Sequence, residues 1–259
     1  MTAVRVELFK LRTTRLFLWL LAAATGLSAA LAALEASRGA RGLTVSPLSS
    51  AAGLTTVTTA TGFALLVAGL LGVTVTGGEF GHGIATLTFL SFPRRLQVLA
   101  AKLVAAAVAG AIVGLAAGII TTGIGLAFLR ARGDALALDS GTLAGHIAGA
   151  CLAAALLAVA GAGLGALVRN QLGATIAIFA WALVGETAIG GLFKDARPYL
   201  PFDAATTLAG TPLGSALGFL RLGPGPGALP FVVSAALVLG VGLLLTTVAA
   251  LVTVPRDIS

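Results

Sequence analysis

The sequence predicts an all-α, polytopic integral membrane protein with six transmembrane helices, and three observations carry that expectation. Apolar residues make up 58% of the 259 positions and charged residues 10%, for a mean hydropathy of +1.06; soluble domains run near a quarter charged. Six runs reach the roughly 20 apolar residues that a helix needs to cross hydrocarbon. The runs are unbroken, whereas strands of a membrane barrel alternate in polarity over about ten residues, and a lone helix satisfies its own backbone in lipid.

The runs cover 16–34, 54–76, 103–129, 143–168, 172–193 and 228–254, and the only Asp, Glu, Lys or Arg inside any of them is Glu186. Ahead of the first, residues 1–15 set Val4, Leu8 and Leu11 at helical spacing among charges, which suits a short helix lying in the membrane interface and equally a plain charged flank. The first run resembles a signal peptide in its basic flank and in Ala30-Leu31-Ala32. It exceeds the roughly 7–15 apolar residues of a signal sequence and is followed by further runs, so it reads as a span.

Lys and Arg near the span ends set the orientation. With the N-terminus inside, nine of the 16 basic residues fall on the cytoplasmic side, among them Lys10, Arg94, Arg95 and Lys102, against three acidic ones, Glu7, Glu79 and Asp257. The other side holds seven basic and five acidic residues, so both termini are expected in the cytoplasm. The net charge of +7 is dispersed over these flanks with no basic stripe, which points to anionic lipid and not to nucleic acid.

Between the spans, the Gly/Ser-rich stretch 35–53 reads as an external loop, 77–97 as a cytoplasmic connection, and the proline-bearing 194–227 as an external segment long enough for a short helix or hairpin. Gly110, Gly114 and Gly118, and Gly161 and Gly165, recur at helix-packing intervals, which predicts close helix contacts inside this one chain.

Catalytic chemistry is not expected. None of Lys10, Lys102 and Lys194 is followed by Ser or Thr, so no phosphate-binding loop of the Gly-x-x-x-x-Gly-Lys-Ser/Thr type exists. His82 and His146 fall on opposite sides of the membrane and cannot share a metal, and Cys151 has no second cysteine to pair with. Gly-x-Ser-x-Gly and acidic clusters are also missing. Glu186 reads either as a pathway residue or as a hydrogen-bonded carboxylate, nearer the outer surface than the midplane.

The connection after the second run is the most informative stretch. Gly77, Gly78, Gly81 and Gly83 let the chain leave the membrane sharply, and Pro93 ends a short, mostly apolar helix over Ile84 to Phe92. Glu79, Gly83, this helix, Pro93, Arg94, Arg95 and the downstream Lys102 together resemble the hallmark of permease subunits of type-2 ATP-binding-cassette exporters. Tyr199-Leu200-Pro201-Phe202-Asp203-Ala204-Ala205 and Arg256-Asp257 resemble that family's external segment and C-terminal ending. Ile84 stands where many members carry Thr, and Pro93-Arg94-Arg95 is one residue tighter than the commoner spacing.

The resemblance implies a coupling helix within 77–97 that docks on separately encoded ATPase subunits. Glu79, Gly83, Pro93, Arg94, Arg95 and Lys102 are then the coupling residues. It implies no cofactor in this chain, ATP and Mg in the partner, pairing with a second permease copy, and residence in a bacterial plasma membrane. The composition of the spans suits a hydrophobic substrate such as a drug, lipid or lipophilic peptide. Two other classes stay open: a secondary transporter or channel using Glu186, and a non-transporting membrane anchor or immunity protein.

Overall fold

A computed structural model describes residues 3–42, 49–81, 95–133, 140–210 and 229–252, and among these it contains helices and turns but no strand. In order they are α1 (Ala3–Thr13), α2 (Arg15–Ala40), α3 (Ala51–Thr58), α4 (Thr61–Gly81), α5 (Arg95–Arg132), α6 (Ser140–Val168), α7 (Gln171–Leu192), α8 (Pro201–Leu208) and α9 (Phe231–Val252). Six segments are long and apolar enough to cross a membrane: α2, the α3–α4 pair, α5, α6, α7 and α9. The bundle therefore has a proximal face, which carries α1, and a distal face, where α8 lies.

Several helix ends follow local chemistry. Ser50 accepts a hydrogen bond from Gly53 N at 3.0 Å and Asn170 accepts one from Gly173 N at 3.1 Å, capping α3 and α7. Gly42 and Gly133 follow α2 and α5 with φ of +69° and +71°, the left-handed stop that a side chain disfavours.

Two spans differ from a plain helix. The run expected over 54–76 breaks at Thr59 and Ala60 into α3 and α4. Threonine hydroxyls compete there for backbone carbonyls, with Thr58 Oγ1 donating to Thr55 O at 2.9 Å and Thr59 Oγ1 to Thr56 O at 2.6 Å. The run expected over 172–193 contains a π-helical turn at Trp181–Gly185. Two other helices extend well past their apolar runs, α2 to Ala40 and α5 from Arg95 to Arg132, because a helix does not stop where the hydrocarbon does.

The spans are not equivalent. In the second, 78% of the most apolar stretch is buried and in the fourth 61%, against 17% in the first and 22% in the fifth and sixth, so α4 and α6 form the centre. Glycine makes this centre possible. A methyl group on Gly110 would overlap Ala154 O, one on Gly114 would overlap Ala150 O, and one on Gly161 would overlap Gly69 O. As α5 ascends, its partners on α6 descend, which is antiparallel packing; α4 and α6 run parallel. The glycine intervals read from the sequence are thus intramolecular seams, where removing a side chain lets backbones touch.

Candidate functional site

Buried charge gathers at the two faces. At the proximal face, Glu7 of α1 is 5% exposed and Lys102 of α5 is 7% exposed. Lys102 Nζ lies 3.1 Å from Glu7 Oε2 and 3.4 Å from the carbonyl oxygen of Val75 on α4, while Lys10 Nζ donates to Glu7 Oε1 at 2.9 Å. α1 is a separate helix because Thr14 is extended, with φ −85° and ψ 116°, and this break lets it turn across the base of α5.

At the distal face, Glu186 sits just after the π turn. In an α-helix, residues five apart stand about 140° apart around the axis. The wider turn, closed by Glu186 N–H donating to Trp181 O, brings both side chains to one side, and Trp181 Nε1 donates to Glu186 Oε1 at 3.0 Å. The carboxylate then reaches the start of α8. Phe202 N donates to Oε1 at 2.8 Å and Asp203 N to Oε2 at 3.1 Å.

α8 has no side-chain cap of its own, and Pro201 opens it. Proline carries no N–H, and Ala204 N already bonds Leu200 O at 2.8 Å. Glu186 therefore meets every remaining free donor in the first turn of α8 with its carboxyl oxygens.

A second carboxylate lies beside the first. Arg197 Nε is 3.3 Å from Asp203 Oδ2, both residues being about 5% exposed or less, and the arginine stem crosses Gly190, where a Cβ would stand 3.2 Å from its Cγ. Burial pushes the Asp203 carboxyl above its ordinary value, and the Arg197 guanidinium offsets only part of that.

The other end of α8 is fixed as well. His146 Nδ1 hydrogen-bonds the carbonyl oxygen of Ala209, and Gly149 of α6 packs flush on Leu208 O. Gly149 lies nine residues into α6, about 13 Å from its start. α8 is thus a helix folded back into the bundle among α4, α6 and α9, with Phe202, Ala204, Ala205 and Leu208 in its main core.

Of the residues singled out from the sequence, Lys102 and Glu186 are placed in full, and at opposite faces. Glu79 lies in the last turns of α4 and Arg95 begins α5. Gly83, Pro93 and Arg94, the expected helix over 84–92, Ile84, all of 211–227 and Arg256-Asp257 lie outside the described residues. Glu186 lies at the distal face with its carboxyl group hydrogen-bonded to Trp181, Phe202 and Asp203. Sequence reasoning missed Glu7, the Arg197–Asp203 pair and the role of His146. Pro201 ahead of Phe-Asp-Ala-Ala was the available signal for a helix start.

Among the described residues no group of three His, Cys, Asp or Glu side chains gathers to hold a metal. The fold defines a polytopic α-helical membrane protein in which a short helix re-enters the bundle. No protein-family model matches the chain, and a comparison with curated proteins finds no match.

Proposed function

We propose that this chain is the permease subunit of an ATP-driven exporter of the type-2 ATP-binding-cassette kind. It forms the path for a hydrophobic drug, lipid or lipophilic peptide and pairs with a second copy or a similar chain. Separately encoded ATPase subunits hold ATP and Mg and dock on the 77–97 connection. Both termini are cytoplasmic, the proximal face is the inner one, α1 lies in the interface, and the membrane is the bacterial plasma membrane.

The observation that carries this reading beyond the sequence resemblance is the anchoring of that connection. Its two ends are α4 and α5, and Lys102 ties α5 to Val75 of α4 and to Glu7 of α1. A push delivered to the connection is therefore passed to three helices at once. From α4 it reaches the glycine seam with α6 and the re-entrant α8, a rigid-body route from one face to the other.

The test is an affinity pull-down of the tagged chain from native membranes. Wild type is compared with a Glu79→Ala, Arg94→Ala, Arg95→Ala triple variant. Co-purification of a nucleotide-binding ATPase with wild type, weakened in the variant, is the expected result. Absence of any such ATPase under mild detergent conditions overturns the reading.

A further inference from the structure

Five helices meet at the distal face around a cavity of about 360 Å³. Its wall combines Leu54 and Val57 of α3, Thr122 of α5, His146 of α6, Leu208 of α8 and Phe231 of α9. Among the described residues no Asp, Glu, Lys or Arg lines it. The volume lies within the range of small-molecule pockets and is roughly ten times a water's share of the liquid.

Two residues of this wall each carry a buried polar atom with no partner among the described residues: His146 Nε2 and Thr122 Oγ1. Both residues are more than nine-tenths buried, at 8% and 5% exposure. Thr122 is unusual even beside its neighbour, since Thr121 Oγ1 donates back to Ala117 O at 2.9 Å, the ordinary solution for a buried helical threonine. For His146 the carbonyl of Ala209 accepts, so Nδ1 carries the proton. Among the described residues no Asp or Glu lines the cavity to pair an imidazolium, and with Nδ1 carrying the proton a neutral ring leaves a lone pair at Nε2.

A lone pair wants a donor, and a hydroxyl can both donate and accept. We infer that this cavity binds a neutral, mostly apolar small molecule carrying one hydroxyl, a lipid-type alcohol whose O–H donates to His146 Nε2 and whose oxygen accepts from Thr122. Leu54, Val57, Leu208 and Phe231 enclose its apolar body. A cation or anion meets no Asp, Glu, Lys or Arg among the described lining residues, and water alone leaves the larger, apolar part of the wall unsatisfied. Because His146 also holds the end of α8, an occupant bears on the re-entrant helix directly. The site does not depend on the chain being a permease.

The experiment uses the full chain in lipid nanodiscs with a long-chain alcohol bearing a diazirine. The matching diazirine alkane without the hydroxyl is the control, and labelled residues are mapped by mass spectrometry. The alcohol is expected to label Leu54, Leu208 or Phe231 saturably and to be displaced by unlabelled alcohol, while the alkane spreads over the lipid-facing residues of α2 and α9. Gly145 also lines the cavity, and apart from its chain neighbours nothing stands within 4 Å of where its Cβ would be, so Gly145→Leu adds bulk there while leaving the His146 side chain itself unaltered. It should weaken displaceable labelling about tenfold, and Thr122→Val about fivefold, the loss of one hydrogen bond. Should Gly145→Leu lower the melting temperature, Thr122→Val alone decides. Equal cavity labelling by alcohol and alkane, no cavity labelling at all, or labelling unchanged in both folded variants overturns the inference.

Discussion

The two faces of the bundle each bury a carboxylate, and they hold it in opposite ways. Glu7 at the proximal face answers to side chains, the ammonium groups of Lys10 and Lys102. Glu186 at the distal face answers chiefly to backbone, the N–H groups of Phe202 and Asp203. A side-chain pair can be exchanged for another pair of similar volume. Backbone donors cannot be mutated away, so the fold of α8 presupposes an acceptor at position 186. The difference separates a replaceable link between helices from a keystone of local structure.

The largest expected effect tests the keystone. Glu186→Ala should cost about 4 kcal/mol, since it strands two buried N–H groups and the Trp181 indole. Glu186→Gln, which keeps one carbonyl acceptor, should cost about half as much. Steric-trap unfolding in bicelles measures both, and a loss under about 1 kcal/mol for the alanine would erase the contrast between the faces.

The proximal link is tested next. Lys102→Met should cost about 3 kcal/mol because, among the described residues, it leaves buried Glu7 with the half-exposed Lys10 alone. Combining it with Glu7→Gln should restore most of that, giving a large coupling energy in a double-mutant cycle. No such rescue exists for Glu186 through any single second substitution.

Smaller effects come from the glycine seam that joins the faces. Gly72→Ala places a methyl inside the carbonyl of Ala158 on α6 and should destabilise by about 2 kcal/mol. Gly240→Ala, on the peripheral α9 with nothing within 4 Å of its Cβ, should stabilise by up to about 1 kcal/mol. Thermal melts of the two variants in one detergent provide the comparison, and equal melting temperatures would show that the seam bears no special strain.

Much of this was legible in the chain. Lipid demands internally bonded helices and long apolar runs, so the six spans, the distal position of Glu186 and the glycine intervals of α5 and α6 follow from local pattern and composition. The partners of those features were not legible. Periodicity does not reveal that α1 turns at Thr14 to bring Glu7 onto Lys102, 95 residues away, nor that a π turn rotates Trp181 to the side of Glu186. Nor does an apolar threonine-rich run announce that Thr59 and Ala60 break it.

By itself the sequence determined which segments enter the membrane, because transfer into hydrocarbon is nearly additive over residues along the chain. Only the tertiary structure decided where the buried polar groups end: Glu186 on the first turn of α8, His146 on its last carbonyl, and Thr122 on the wall of a cavity. Hydrogen bonds are directional and join residues far apart in sequence, so their partners become defined only when the helices have packed.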